Sequence, residues 1–324
     1  MKFSNINLDY LLKEEDVRDG NFPRFLDEIS DIPSREMLGD LNEAGVINQN
    51  ITIKVKNFLG SEISYLYCDL KLCVSLTKFR GIHMSRVEEA LFSLVEEEFD
   101  SLESFAKILS DKLRILQDAK ISLVEINAVT FVKRLTRKSE KYSHDKVNLF
   151  CSVRNEGGET VFAKGIEAYN MTACPCTATY TKFHTVPSLQ SKGFSLEDIN
   201  YILSKVVTGT HTQRGRVSLV LKNLKEKDFT YEQLYLVLEE SVHLVHELLK
   251  RPDEHDLVIR ALKKPQFTED VVRDIAKTFV KNLGNVLDNE SIVVIESTQA
   301  DSIHIHDVYS KIEQNGKDFK ECYS

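Results

Sequence analysis

From Ile51 to Lys56 the chain alternates apolar and polar residues, turns at Gly60-Ser61, and resumes the alternation through Tyr65, Tyr67, Leu70, Leu72 and Val74 to Thr77. A period of two sustained on both sides of a glycine turn specifies a hairpin of long strands with one buried face. At Arg86 the period changes. Val87, Ala90, Leu91, Leu94, Val95, Phe105, Leu109, Leu113 and Leu116 fall near a 3.6-residue repeat, with Glu88, Glu89, Glu96, Glu97 and Glu98 on the wet side. This predicts one long helix or two in succession. Extended segments follow at 121–134 and 147–155, and the basic, polar stretch from Arg137 to Asp145 between them reads as an exposed loop.

The same element order then recurs. Strand-like segments lie at 147–155, 160–170 and 216–222, with Asn155-Glu156-Gly157-Gly158 as a turn. Thr230-Tyr231-Glu232-Gln233 is a capping box that opens a helix through Leu234, Leu238, Val242, Val245 and Leu249. A second helix is expected from Thr268 to Gly284, the glycine standing at the C′ position, and Val293–Glu296 and Ile303–Ile305 close as strands. The pattern predicts an α+β architecture of antiparallel strands with helices on one side, repeated in element order and not in sequence. Residues 1–45, acidic, polar and broken by Pro23 and Pro33, form an N-terminal arm; 46–146 form the first half and 147–324 the second.

Bulk composition narrows the partners. The chain has 324 residues and a net charge of −8, which gives no reason to expect nucleic acid. Its 6 cysteines are sparse and lack disulfide-framework spacing. No apolar run approaches the roughly 18–20 residues of a membrane span, and no leader-like apolar segment follows Met1. The expectation is a soluble, cytoplasmic protein with no membrane partner.

Chemistry concentrates in a few short segments. Cys174-Pro175-Cys176 sets two thiols about a proline that forces a corner, so a sulfur can face a cavity; an inert buried pair is the plain alternative. His211-Thr212-Gln213-Arg214, with Arg216, gathers an imidazole and donors suited to phosphate or a purine edge, against a solvated strand end. Arg251-Pro252-Asp253-Glu254 reads as a proline-broken helix end from which Glu254 projects, and Glu269 sits in a first helical turn, where the macrodipole favours any carboxylate. Asp301, His304 and His306 lie in an alternating segment, with both imidazoles on one face of a strand. In Gly81-Ile82-His83-Met84-Ser85-Arg86 a strand gives way to a helix, where Ser85 is either a cap or part of an anion site. Thiol, imidazole and carboxylate together are the donors of an open transition-metal site.

These five motifs, in this order from about residue 45 onward, resemble the type IB GTP cyclohydrolases, and most closely their archaeal branch in methanopterin biosynthesis. The resemblance implies a tunnelling fold of two similar halves and a homo-oligomer, dimer or tetramer, with active sites near subunit interfaces. It implies GTP as substrate and one divalent metal per subunit, Fe(II), with Zn(II) or Mn(II) as alternatives. The metal ligands map onto Cys174, His211 and Glu254. Catalytic positions map onto Cys174, Glu269 and His304, and substrate-binding positions onto Arg86, Arg214, Arg216 and Asp301. The family usually carries glutamate where Asp301 stands. The long segment from Thr177 to Gly209, with a helix capped at Ser195, separates the cysteines from His211 and favours the archaeal branch.

The implied reaction opens the guanine imidazole ring at C8 with loss of formate. The archaeal product is 7,8-dihydroneopterin 2′,3′-cyclic phosphate with diphosphate; the bacterial alternative keeps the triphosphate. Two other readings use the same residues. One is a tunnelling-fold nitrile reductase with a cysteine nucleophile and NADPH, for which no glycine-rich dinucleotide fingerprint is present. The other is a closed, four-ligand structural metal site that includes both Cys174 and Cys176.

Overall fold

The computed structural model describes residues 39–77, 81–225 and 228–324. The arm predicted at 1–45 lies outside the described residues up to position 38, and its end already belongs to the first strand. Strands β1 (Leu41–Phe58) and β2 (Ser61–Leu76) form the expected long hairpin, closed by Leu59 and Gly60 at φ 48° and 79°. The helical stretch is two helices, α1 (Met84–Phe92) and α2 (Leu102–Leu116), separated by the short strand β3 (Glu98–Phe99). Ser101 causes the restart, since its hydroxyl accepts the Ser104 N–H in a capping box. Strands β4 (Ile121–Leu135) and β5 (Tyr142–Glu156) complete the first unit. The loop read at Arg137–Asp145 is therefore shorter than expected: β5 begins at Tyr142, and Ser143 and Asp145 are buried on its inner face.

The second unit opens with β6 (Glu159–Ala173) and runs through helices α3 (Pro175–Gln190) and α4 (Leu196–Lys205) to β7 (Thr212–Leu224). Helix α5 (Tyr231–Ser241), strand β8 (His243–Leu244), helices α6 (Arg251–Lys263) and α7 (Thr268–Leu283), strands β9 (Ile292–Ala300) and β10 (Asp307–Asn315), and helix α8 (Gly316–Tyr323) follow. The sheet order is β10-β9-β7-β6-β5-β4-β2-β1-β3, with β8 on β6; every pairing is antiparallel except β1 with β3. Leaving aside β3, β8 and the α3–α4 insertion, the first unit reads strand, strand, two helices, strand, strand, and the second reads strand, strand, three helices, strand, strand, with α8 following. This is the tunnelling-fold arrangement in an α+β chain. Alternate strand residues such as Val124, Ile126, Val153, Ile166, Val217 and Ile295 join Phe105, Leu109, Leu234, Ile275 and Phe279 from the helices in one core. No helix among the described residues is long and apolar enough to cross a membrane.

Four local expectations are corrected. The helix opened by the Thr230 capping box ends at Ser241, because Val242 turns extended and His243–Leu244 pair with β6. Arg251-Pro252 opens a helix instead of ending one, as suits a proline that needs no N–H in the first turn. Gly284 keeps a right-handed φ of −60° and is not a left-handed cap. Ile303–Ile305 is a bend between β9 and β10, with Ile305 fully exposed, so no strand face carries its histidines.

The two units are bonded through their interiors. Lys164 on β6 pairs with Glu103 on α2 and donates to the Phe229 carbonyl at 2.7 Å, with Lys164 2% and Glu103 3% exposed. Removing one partner strands a buried charge. Glu103→Ala is expected to cost about 3–5 kcal/mol in chemical denaturation, whereas Glu103→Leu with Lys164→Met should be near neutral or stabilising. Equal losses in the single and double variants would show that packing, and not charge pairing, dominates there.

Candidate functional site

The strand registers bring the predicted residues to one end of the sheet. The β4–β5 turn, the end of β6, the start of β7, the end of β9 and the start of β10 all lie there. Cys174 follows β6 as the N-cap of α3, where Pro175 takes the first helical turn. Its N–H donates to the His211 carbonyl at 3.1 Å, and its carbonyl accepts the Thr210 hydroxyl at 2.9 Å. Cysteine and histidine are thus neighbours through backbone bonds even though the α3–α4 insertion separates them in sequence. Cys174 is half-buried and Cys176 exposed.

His211 is oriented by a buried polar chain. Its Nδ1 lies 3.1 Å from Gln213 Oε1, while Gln213 Nε2 donates to the Thr172 hydroxyl at 2.8 Å. Thr172 in turn donates to Gln299 Oε1 at 3.2 Å, and Gln299 Nε2 donates to Ser297 Oγ at 2.8 Å and Asn170 Oδ1 at 3.2 Å. The chain of bonds engages His211 at Nδ1, which leaves Nε2 as the ring position available to a ligand. Asp301 Oδ1 stands 3.8 Å and Ser302 Oγ 3.4 Å from the same Nδ1.

Glu254 is exposed in the first turn of α6, next to Asp253, which fixes that turn. Asp253 accepts the Lys138 and Ser139 N–H groups at 2.9 and 3.1 Å and the Ser139 hydroxyl at 2.5 Å, so it clamps the β4–β5 turn onto the helix. Burial acts to raise its pKa, but the Ser139 hydroxyl and the N–H groups of Lys138, Ser139 and Lys250 outweigh it and hold the carboxyl far below the usual range. Glu269 is exposed in the first turn of α7, whose start is tied to β9 by the Thr268 hydroxyl on the Ser297 carbonyl at 3.3 Å. His304 and His306 stack in the β9–β10 bend with ring centroids 5.2 Å apart. Arg214 and Arg216 project from the open face of β7, with Arg214 over the Tyr169 ring at 5.7 Å. Arg86 lies elsewhere: its guanidinium donates to the Leu116 carbonyl at 3.2 Å and staples α1 to the end of α2.

Among the described residues no three His, Cys, Asp or Glu side chains group closely enough to hold a metal ion. Cys174 and His211 suit a borderline-soft divalent ion by donor type, but Glu254 does not complete a set with them within one chain, so a three-donor site does not fit the single subunit. Sequence reasoning missed Thr172, Asn170, Ser297 and Gln299. Their signal is polar residues two apart at inward strand positions, where apolar ones are expected.

Gly215 is required by this chain of bonds. A Cβ there would lie 2.1 Å from Gln299 Oε1. Gly215→Ala should displace Gln299, cost about 1–3 kcal/mol in thermal unfolding, and lower turnover further by releasing His211. The added Gln299→Ala change should restore stability but not turnover. Asp253, whose carboxyl is depressed in the folded chain, contributes stability that is complete above its ordinary value of 3.8 and fades as pH falls through the folded value. In acid titrations of unfolding, Asp253→Asn should be less stable than the parent at neutral pH, with the gap narrowing as pH drops below 3.8.

The model of the family described as type I GTP cyclohydrolase folE2 matches residues 28–310. GTP cyclohydrolase MptA of Thermoplasma volcanium is 30% identical over 301 residues, covering 92% of this chain and 98% of its own. The proteins of that name from Methanocaldococcus jannaschii and Methanoculleus marisnigri are each 30% identical, over 84% and 72% of this chain and 90% and 77% of their own. Among solved structures, the uricase of Arthrobacter globiformis aligns over 87% of this chain and 94% of its own at 13% identity and a TM-score of 0.43. With its motifs, its paired units and a family match across most of its length, the chain is an enzyme that belongs to the type I GTP cyclohydrolase family of the folE2 kind.

Proposed function

We propose that this chain is a GTP cyclohydrolase that opens the guanine imidazole ring at C8, releases formate, and yields 7,8-dihydroneopterin 2′,3′-cyclic phosphate and diphosphate. The observation that carries the reading is the pairing of Cys174 with His211 across the start of the α3–α4 insertion, in a chain whose relatives of matching length are named GTP cyclohydrolase MptA. In this reading Arg214 and Arg216 take the phosphates, Asp301 beside His211 anchors the purine, and Glu269 and His304 move protons as the ring opens. The protein works as a homo-oligomer, with active sites near subunit interfaces. It needs one divalent metal per subunit, Fe(II), with Zn(II) or Mn(II) as alternatives, held by Cys174, His211 and Glu254. Because no three such donors group among the described residues of one chain, this reading has assembly complete the site.

The test is anaerobic incubation of metal-stripped protein with GTP and Fe(II), Mn(II) or Zn(II), following formate and the pterin by mass spectrometry. Formate that depends on added metal, with the cyclic phosphate, is expected. A product that keeps its triphosphate would overturn the cyclic-phosphate assignment. No formate with any metal from folded protein would overturn the activity itself.

A further inference from the structure

Strands β5 and β6 are paired from Asn148–Glu167 to their hairpin but part toward the site end, where Asn170 and Met171 pair with Leu244 and His243 instead. The Val245 N–H continues this edge by donating to the Tyr169 carbonyl at 3.1 Å. The segment 243–248 is thereby wedged into an opening in the sheet. On the β5 side it is held by side chains. Asp145 Oδ1 accepts the Glu247 N–H at 2.9 Å, Asp145 Oδ2 meets His246 Nδ1 at 2.8 Å, and Ser143 Oγ accepts the Leu248 N–H at 3.1 Å while donating to Asp145 Oδ1 at 2.5 Å.

This cluster is buried and braced. The side chains of His246, Asp145 and Arg134 are 3%, 7% and 13% exposed. Arg134 Nε lies 3.6 Å from Asp145 Oδ2, and its other nitrogens meet Glu239 and the Tyr235 hydroxyl. Burying a carboxylate is unfavourable unless it is fully bonded. Here the bonds from Ser143, His246 and Glu247 outweigh burial and hold the Asp145 carboxyl below its usual range. The wedge leaves a cavity of about 470 Å³, lined by Lys146, Tyr169, Arg214, Val245, His246 and Glu247 among others. Lys146 and Arg214 are exposed, and among the described residues neither has a carboxylate partner within ion-pair distance.

We propose that Asp145 is a positioning residue: by bridging the gap to residues 246 and 247 it holds the 243–248 segment away from β5 and keeps the cavity shaped for the phosphate chain of the nucleotide at Lys146 and Arg214. The inference rests on the reading of GTP as substrate. Two cations lining one cavity match a polyphosphate better than any neutral ligand, and the Tyr169 ring restricts where the Arg214 guanidinium can point.

The experiment pairs formate kinetics with equilibrium binding of inorganic triphosphate, which involves no chemistry and no purine. Formate from the parent protein is established first; its absence would count against the cyclohydrolase reading, and triphosphate binding would still test the cavity. Asp145→Ala, checked for assembly state and unfolding, is expected to weaken triphosphate binding and raise KM for GTP about tenfold, with kcat within about threefold. Lys146→Ala should show the same split. Asp145→Asn, which retains an oxygen for the Glu247 N–H, should recover most of the loss. If Asp145→Ala does not fold, Ser143→Ala, which removes the Leu248 tether and the bond to Asp145 Oδ1 but keeps the carboxylate, should move KM and triphosphate binding in the same direction. Unchanged KM and unchanged triphosphate binding in a folded variant would overturn the proposal, as would a fall in kcat with KM untouched.

Discussion

The Lys164–Glu103 pair stands where the two units of the sheet depend on each other most. The hairpin that joins them, β5 with β6, contributes only nine residue pairs before the strands separate. The remaining adhesion comes from side chains that cross the seam, and one set of them starts on α5. Tyr231 donates to the Phe150 carbonyl at 2.8 Å, Glu232 accepts the Leu59 N–H at 2.6 Å, and Tyr235 and Glu239 both bind Arg134. Tyr231, Tyr235 and Glu239 are four residues apart, which puts them on one helical face. That face lies against the first unit although α5 belongs to the second. Lys164 approaches the Tyr231 ring at 5.7 Å from its nitrogen, so the buried charge pair sits at the root of the same contact. A sheet this wide with a short central hairpin needs such a clamp.

The separation of β5 from β6 therefore links architecture to the site. Antiparallel hairpins return the chain to the same end every second connection, so the ends of β4, β6 and β9 and the starts of β5, β7 and β10 meet there by topology alone. What topology does not supply is rigidity, because these connections are exposed. The structure provides it by placing hydrogen-bonded carboxylates beneath the loops: Asp253 under the β4–β5 turn and Asp145 under the wedge. Both accept backbone N–H groups, a use of aspartate that fixes chain position more directly than a surface ion pair does.

Much of this was legible in the sequence where one period dominated. The β1–β2 alternation, the Ser195 and Thr230 caps and the glycine turn at 157–158 are local codes, and each element appears where its code stands. The failures share a cause. Val242, His243 and Leu244 continue the apolar helical pattern of α5, yet a vacant edge on β6 takes them as a strand, and no local signal announces that edge. Pro252 was read as a stop because a helix was expected before it; with α5 ended at Ser241, the same proline becomes a start. Ser143 and Asp145 look like loop residues by composition, and only their alternation with Val147 and Leu149 marks them as inward-facing. The chemistry-bearing motifs were found by residue type, but Thr172 and Gln299, which orient His211, carry no motif and lie 39 positions upstream and 88 downstream of it.

The contrast between those two groups bears on how the site is built. A buried amide–hydroxyl chain is unfavourable when any member loses its partner, and an apolar core would pack there at less risk. Its retention from Asn170 through Gln299 to His211 is explained by orientation: three strands of the sheet determine which imidazole nitrogen faces outward. Glu254, Glu269, His304, Arg214 and Arg216, by contrast, are all exposed, on helix starts, a bend and an open strand face. The hydrogen-bonded part of the candidate site is thus inside the subunit, and the side chains proposed to react are on its rim. A rim of that kind gains its low-dielectric surroundings from whatever covers it. The stacked pair of His304 and His306, exposed beside Asp301, lies on that rim, where a cover that excludes water would strengthen any charge interaction the imidazoles make.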